Sequence, residues 1–116
     1  MIKRNADMKT DLRENMRGGD GTVKIKEILL KGEYKGSARL VGEITLEPGC
    51  SIGTHIHENE EEIFYIIEGT ATYDDNGETV ILSKGDSCVC LGGEKHSLAN
   101  REQNETLRVF AVILTY

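Results

Sequence analysis

All three histidines of this 116-residue chain fall in two short windows, His55 with His57 and, further along, His96. Imidazole binds first-row metal ions through a neutral ring nitrogen. On an extended strand residues two apart point to the same side, so His55 and His57 can offer both rings to one point. The first window also holds Glu58, Glu60, Glu61 and Glu62. Four carboxylates in five positions repel one another and raise each other's pKa, a cost that a bound divalent cation removes while favouring the ionised form. The plainer reading of such a run is a solvated acidic loop, and for Glu58 and Glu60 that reading is preferred.

The fourth donor is set by parity. Glu62 lies an odd number of residues from His57, so an unbroken strand would aim it away from both histidines, whereas Glu61 would then match them. The run Glu58-Asn59-Glu60-Glu61 is polar and lacks β-branched residues, which suits a turn that brings Glu62 back on the next strand. Glu62 is preferred as the donor and Glu61 is held in reserve. Three nitrogens and one oxygen form a mixed set that suits a transition ion better than calcium or magnesium.

The elements that must carry these residues read as strands. From Thr22 onward short runs rich in Val, Ile, Thr and Tyr alternate with Gly, Asn, Asp and Lys-Gly punctuation: residues 23–30, 38–46, 51–57, 63–67, 70–73, 79–82, 87–91 and 107–116. With almost no helical periodicity, this grammar predicts an all-β sandwich or closed barrel, with residues 22–116 as one domain. Asn76-Gly77 between two such runs predicts a type I′ hairpin. Pro48-Gly49 marks a strand end. The stretch Ile63-Phe64-Tyr65-Ile66-Ile67 is apolar without alternation, so both faces need cover, one from the barrel interior and the other from a partner subunit, which makes a homodimer the expectation. Residues 1–21 are polar and show no sustained period; they read as a mostly irregular N-terminal arm, although Met8, Leu12 and Met16 could line up on a short helical turn.

Composition narrows the partners. With 14 basic against 20 acidic side chains the net charge is −6, which repels polyphosphate backbones and anionic bilayers, so neither nucleic acid nor membrane is an expected partner. The amino-terminal residues run directly into charge without an apolar stretch, so a cytoplasmic location with reduced thiols is expected. Cys50, Cys88 and Cys90 are odd in number and lack zinc-ribbon spacing. Cys88 and Cys90 share a strand face and read as small apolar core residues. Arg39, Glu43, Asn100 and Arg101 are candidates to line a cavity, with surface positions the plainer reading for the arginines. Phe64 and Tyr65 read as core or interface residues.

Together the two windows resemble the cupins. Gly49, His55, His57, Glu62 and Gly69 match the form G-x5-H-x-H-x4-E-x6-G, and Gly85, Gly93, His96 and Asn100 match G-x5-P-x-G-x2-H-x3-N except that Leu91 stands at the proline. That exchange loosens the turn before His96 but removes no donor. The resemblance implies a jelly-roll β-barrel with His55, His57, Glu62 and His96 as ligands of one divalent transition metal in the wider end. Manganese or iron leads the order of expectation, and zinc or nickel follows, because imidazole–carboxylate sites select by availability as much as by affinity. Four ligands on an octahedral ion leave two positions open.

The function expected first is a metalloenzyme acting on a small organic acid, by decarboxylation of an oxalate-like acid or by a dioxygenase reaction, through inner-sphere coordination. A non-catalytic binding or sensing module with a structural metal is the alternative, and sugar isomerisation a third reading. No general acid or base is evident in the sequence.

Overall fold

The computed structural model describes residues 1–116, and its regular structure is almost entirely strand. Ten strands form: β1 (Lys9–Glu14), β2 (Thr22–Leu29), β3 (Ala38–Leu46), β4 (Ser51–Ile56), β5 (Glu60–Glu68), β6 (Thr70–Asp75), β7 (Glu78–Ser83), β8 (Ser87–Cys90), β9 (Lys95–Ala99) and β10 (Leu107–Thr115). They pair antiparallel throughout, in a six-stranded sheet of order β1-β2-β3-β10-β5-β8 and a four-stranded sheet of order β4-β9-β6-β7. This is the jelly-roll arrangement, although no hydrogen-bonded ladder joins the two sheets, so the barrel is closed by side-chain packing between faces rather than by continuous pairing. No helix is long and apolar enough to cross a membrane.

Alternation explains which residues fill the interior. Ile44 and Leu46 on β3, Phe64 and Ile66 on β5, and Val109 and Ala111 on β10 all point inward from the large sheet, and Ala71, Tyr73 and Leu98 meet them from the small one. Burying a side chain of this size removes enough apolar surface from water to contribute about 1.5–3 kcal/mol for the larger ones. The turns follow the sequence signals. Asn76 and Gly77 both take positive φ, 53° and 97°, as a type I′ turn requires. Pro48-Gly49 makes a turn closed by Cys50 N–H donating to the Glu47 carbonyl, with Gly49 at φ 84°.

Two expectations need correction. The N-terminal arm is not mostly irregular, and its Met8–Met16 spacing does not produce an α-helical turn: Lys9–Glu14 is a strand in full register with β2, from Lys9 opposite Glu27 to Glu14 opposite Thr22, flanked by short 3₁₀ turns. All six of its residues are exposed, so backbone pairing alone holds it and no apolar alternation announced it. His96 lies on the short strand β9, between residues 87–91 and 107–116.

The apolar run on β5 does alternate in space. Glu62, Phe64 and Ile66 face in and are buried, while Ile63 and Ile67 are half-buried and Tyr65 is 47% exposed on the outer face. Within one chain that outer face has no cover.

Candidate metal centre

His55 sits near the end of β4, His57 just past it, Glu62 on β5 and His96 on β9. Strands β4 and β9 pair directly, with His55 opposite His96, so two windows far apart in sequence become neighbours in one ladder. After Ile56 the chain turns through Asn59, at φ 58°, and returns as β5 in the opposite sheet. That turn changes the parity and aims Glu62 inward at the imidazoles. Glu61 falls outside the cluster.

The four side chains converge closely. His57 Nε2 lies 3.1 Å from His55 Nε2 and 3.1 Å from His96 Nε2, and the third edge, His96 to His55, is 3.2 Å. Glu62 Oε1 caps the triangle at 3.0 Å from His57 Nε2 and 3.2 Å from His96 Nε2. All the donor atoms lie within 4.8 Å of one another, and His57, Glu62 and His96 are buried.

These spacings are those of a coordination sphere. For a metal–nitrogen bond of about 2.1 Å, ligands at right angles stand about 3.0 Å apart and tetrahedral ones about 3.4 Å apart. The observed edges lie between these two values, so all three rings can reach one ion. The other nitrogen of each ring is occupied. His55 Nδ1 is 2.8 Å from the Gly53 carbonyl, His57 Nδ1 is 2.5 Å from Glu60 Oε2, and His96 Nδ1 is 2.8 Å from the Tyr73 hydroxyl. With the proton assigned to each Nδ1, those nitrogens donate outward and the three Nε2 lone pairs face one another. In that tautomer the lone pairs and the buried carboxylate face one another without a proton between them, which is costly, and a divalent cation removes the conflict. The site therefore fits a divalent transition ion, with His55, His57, Glu62 and His96 as the residues that could hold it.

In the metal-free chain the electrostatics differ from ring to ring. Burial pushes the His55 pKa down, and the two neighbouring imidazoles add to that effect, which keeps the ring neutral and able to ligate. His57 is shifted up by its hydrogen bond to Glu62, against the effect of burial and with a further contribution from Glu60, so without an ion its Nε2–H pairs with Glu62 and the ring must give up that proton to ligate. Burial raises Glu62, but hydrogen bonds from His57 and His96 outweigh it and hold the carboxyl ionised.

Glu60, placed by the sequence reading in a solvated loop, is a positioning residue instead. Its carboxylate takes two hydrogen bonds from Arg39, at 2.7 and 2.8 Å, while its Oε2 accepts from His57. The Arg39 contact, more than that of His57, drives its pKa down to about 2. Parity was the available signal, because Glu60 faces the same way as Glu62 once β5 is recognised to start there. Tyr73 was not singled out at all. It is 2% exposed, stands behind His96, and is pushed up in pKa by burial, so it stays a neutral hydroxyl. Phe64 stacks on the His96 ring with centroids 5.3 Å apart and planes 10° from parallel.

The remaining candidates lie elsewhere. Glu43 pairs with Arg108, Arg101 is exposed, and the buried Asn100 ties the carbonyls of Leu46 and Glu105. Burial raises Cys88 to about 11 and Cys90 to about 12, so both thiols stay protonated and apolar in character.

The centre opens into a cavity of about 120 Å³ lined by His55, His57 and Glu62 together with Ile25, Ile44 and Ile113 and, toward its rim, Arg39. A single water needs about 10–15 Å³ on this measure, so several waters or one small molecule fit.

His96→Ala, which deletes one donor of the triangle and leaves the sheets intact, is expected to lower metal affinity by at least about a hundredfold while the far-ultraviolet dichroism stays that of a β protein. Full metal occupancy in that variant would contradict the ligand set. The Glu60 shift predicts an acid effect. Its folded pKa is below the ordinary 4.5, so its stabilisation is complete above 4.5 and is lost as pH falls toward about 2. Denaturant titrations of the metal-free protein across that window should show a shallower acid loss for Glu60→Gln than for wild type, and identical slopes would contradict the assignment.

Residues 42–113 match the family model for the cupin domain. An oxalate-binding protein of Thermotoga maritima is 40% identical over 114 residues, spanning 98% of this chain and 93% of the relative. The crystal structure of a predicted oxalate decarboxylase from the same organism superposes with a TM-score of 0.92 at 39% identity, each chain covered in full. A polyketide cyclase from Streptomyces resistomycificus, 21% identical, shares the fold with a TM-score of 0.77 over 99% of this chain and 80% of its own. Motif, fold and family model coincide, and the chain belongs to the cupin family.

Proposed function

We propose that this protein takes a small organic acid, oxalate or a close analogue, onto a divalent transition metal held by His55, His57, Glu62 and His96. The observation that carries the reading is the convergence of three Nε2 atoms and one carboxylate oxygen beside a small cavity that His55, His57 and Glu62 line. A bound ion there supplies Lewis acidity and open positions for a carboxylate oxygen. The chain's own residues do the rest. Gly53, Glu60 and Tyr73 hold the rings in the ligating tautomer. Ile25, Ile44, Ile52 and Ile113 bound the cavity and reduce the water around the ligand, which strengthens the attraction between carboxylate and ion. The relative named for oxalate binding supports the choice of ligand. Manganese or iron remains the first choice of ion, and zinc or nickel the second.

Turnover is the second reading. Decarboxylation of oxalate to formate and carbon dioxide consumes a proton, which must reach the carbon that loses carbon dioxide. Glu27 is the one carboxyl on the cavity wall outside the ligand set, and in this reading it carries that proton. A basic cavity rim argues against neutral sugars, and nothing in the site favours dioxygen chemistry over decarboxylation. The deciding experiment is calorimetric titration of oxalate into manganese-loaded and metal-free protein, followed by carbon-13 spectroscopy of the mixture. Binding that requires the metal is expected, and metal-independent or absent binding would refute the reading. Intact oxalate at the end supports a binder; formate lost on Glu27→Gln supports the enzyme.

We also propose a homodimer through the outer face of the six-stranded sheet. Phe110 lies opposite Tyr65, and Val112 and Val89 lie on either side of Ile63, giving an apolar strip on a chain of net charge −6. Glu43, beside Phe110, and Glu68 are paired with Arg108, and Glu61 flanks the strip at its other end. Sedimentation at micromolar concentration should give the mass of two chains, and one chain for Tyr65→Glu/Val89→Glu; a monomeric wild type would contradict it.

A further inference from the structure

The segment that follows β1 crosses to the metal-bearing sheet and is fixed there. Asn15 N–H donates to the Gly21 carbonyl at 2.9 Å and its side-chain amide to the Gly19 carbonyl at 3.1 Å, which closes residues 15–21 into a loop. Ser51, at the start of β4, ties that loop down. Its Oγ accepts from Asp20 N–H at 2.9 Å and its own N–H donates to the Asp20 carbonyl at 2.8 Å. Gly53, whose carbonyl orients His55, packs so closely under the loop that a Cβ there would overlap the Arg17 carbonyl oxygen. Arg17 itself is held in the left-handed region at φ 55° and ψ 29°, a conformation uncommon for a residue with a side chain and retained only where the surroundings enforce it.

This pinned strap puts Arg13 and Arg17 on the wall of the cavity that His55, His57 and Glu62 line. Arg17 has no ion pair or side-chain hydrogen bond within the chain. Arg13 pairs only with Asp11 at 2.8 Å, with both side chains about half exposed, a pairing too weakly held to compete with a desolvated anion. Arg39 differs, because Glu60 takes it up bidentately. The cavity wall thus combines the donors His55, His57 and Glu62 with two arginines, Arg17 without a side-chain partner and Arg13 in an exposed pair with Asp11.

We propose that Arg13 and Arg17 are specificity-determining residues for a short dicarboxylate, which places one carboxylate on the ion and presents the other to the guanidinium groups of the strap. This rests on the reading that the site takes a small organic acid on its metal, and it adds the requirement of a second negative charge. Guanidinium matches carboxylate geometry through paired N–H donors, so a ligand of the same shape lacking that charge leaves the donors poorly matched.

Oxalate and oxamate provide the test, since they share shape and differ by one charge. In calorimetric titrations of manganese-loaded protein, wild type should prefer oxalate, and Arg13→Gln/Arg17→Gln should reduce the oxalate-to-oxamate affinity ratio by about tenfold. Metal content should not change, and the salt dependence of oxalate binding should flatten. Arg17→Lys should retain part of the preference, which a merely structural role would not predict. An unchanged ratio in the double variant, or an equal loss for both ligands, would overturn the assignment while leaving the organic-acid reading intact. Failure of wild type to bind either ligand would overturn both.

Discussion

Everything in the centre follows from four electron-rich atoms held about 3 Å apart in a space with little water. In the ligating tautomer three imidazole lone pairs and a carboxylate oxygen repel one another, and without a cation they are relieved only by protonating rings that then donate to Glu62. A fold can sustain such an arrangement only by fixing the donors from outside. Each ring is accordingly held by its far nitrogen, to a backbone carbonyl, a carboxylate and a phenol. Those three anchors come from β4, β5 and β6, so the centre draws on both sheets.

Strand pairing gives the anchors their precision. The His55–His96 register puts two ligands side by side in the small sheet, and the turn at Asn59 carries the chain across to the large sheet, where Glu62 faces them. Phe64 and Tyr73, two of the largest buried side chains, pack against His96 and connect its position to the general core. The donor cluster and the hydrophobic end of the interior are therefore one packed unit. The strap over β4 extends the same logic outward, because Gly53 serves at once as the anchor of His55 and as the seat of the Arg17 backbone.

Much of this was legible in the amino-acid order, and the reasons are specific. His55 and His57 are two apart on a strand, and a polar run with a turn before Glu62 foretells the parity change; both are local rules. Asn76-Gly77 is equally local. What eluded reading depended on neighbours distant in sequence. β1 buries no side chain and is held by a ladder to β2, so it carries no apolar pattern. Glu60 resembles its acidic neighbours until Arg39, on another strand, is brought beside it. Tyr73 reads as an ordinary core aromatic until His96 is placed against its hydroxyl. The uninterrupted apolar run on β5 signalled a surface needing cover, but only the folded sheet shows that Tyr65 shares it with Phe110.

The central claim is that these four donors hold one ion. Crystals grown from metal-replete, untagged protein, measured on both sides of the absorption edge of the bound element, test it directly. The account predicts a single anomalous peak inside the cavity, about 2.0–2.3 Å from His55 Nε2, His57 Nε2, His96 Nε2 and a Glu62 oxygen. A fully loaded protein whose only peak lies elsewhere, or a site that stays empty in excess metal, would contradict it.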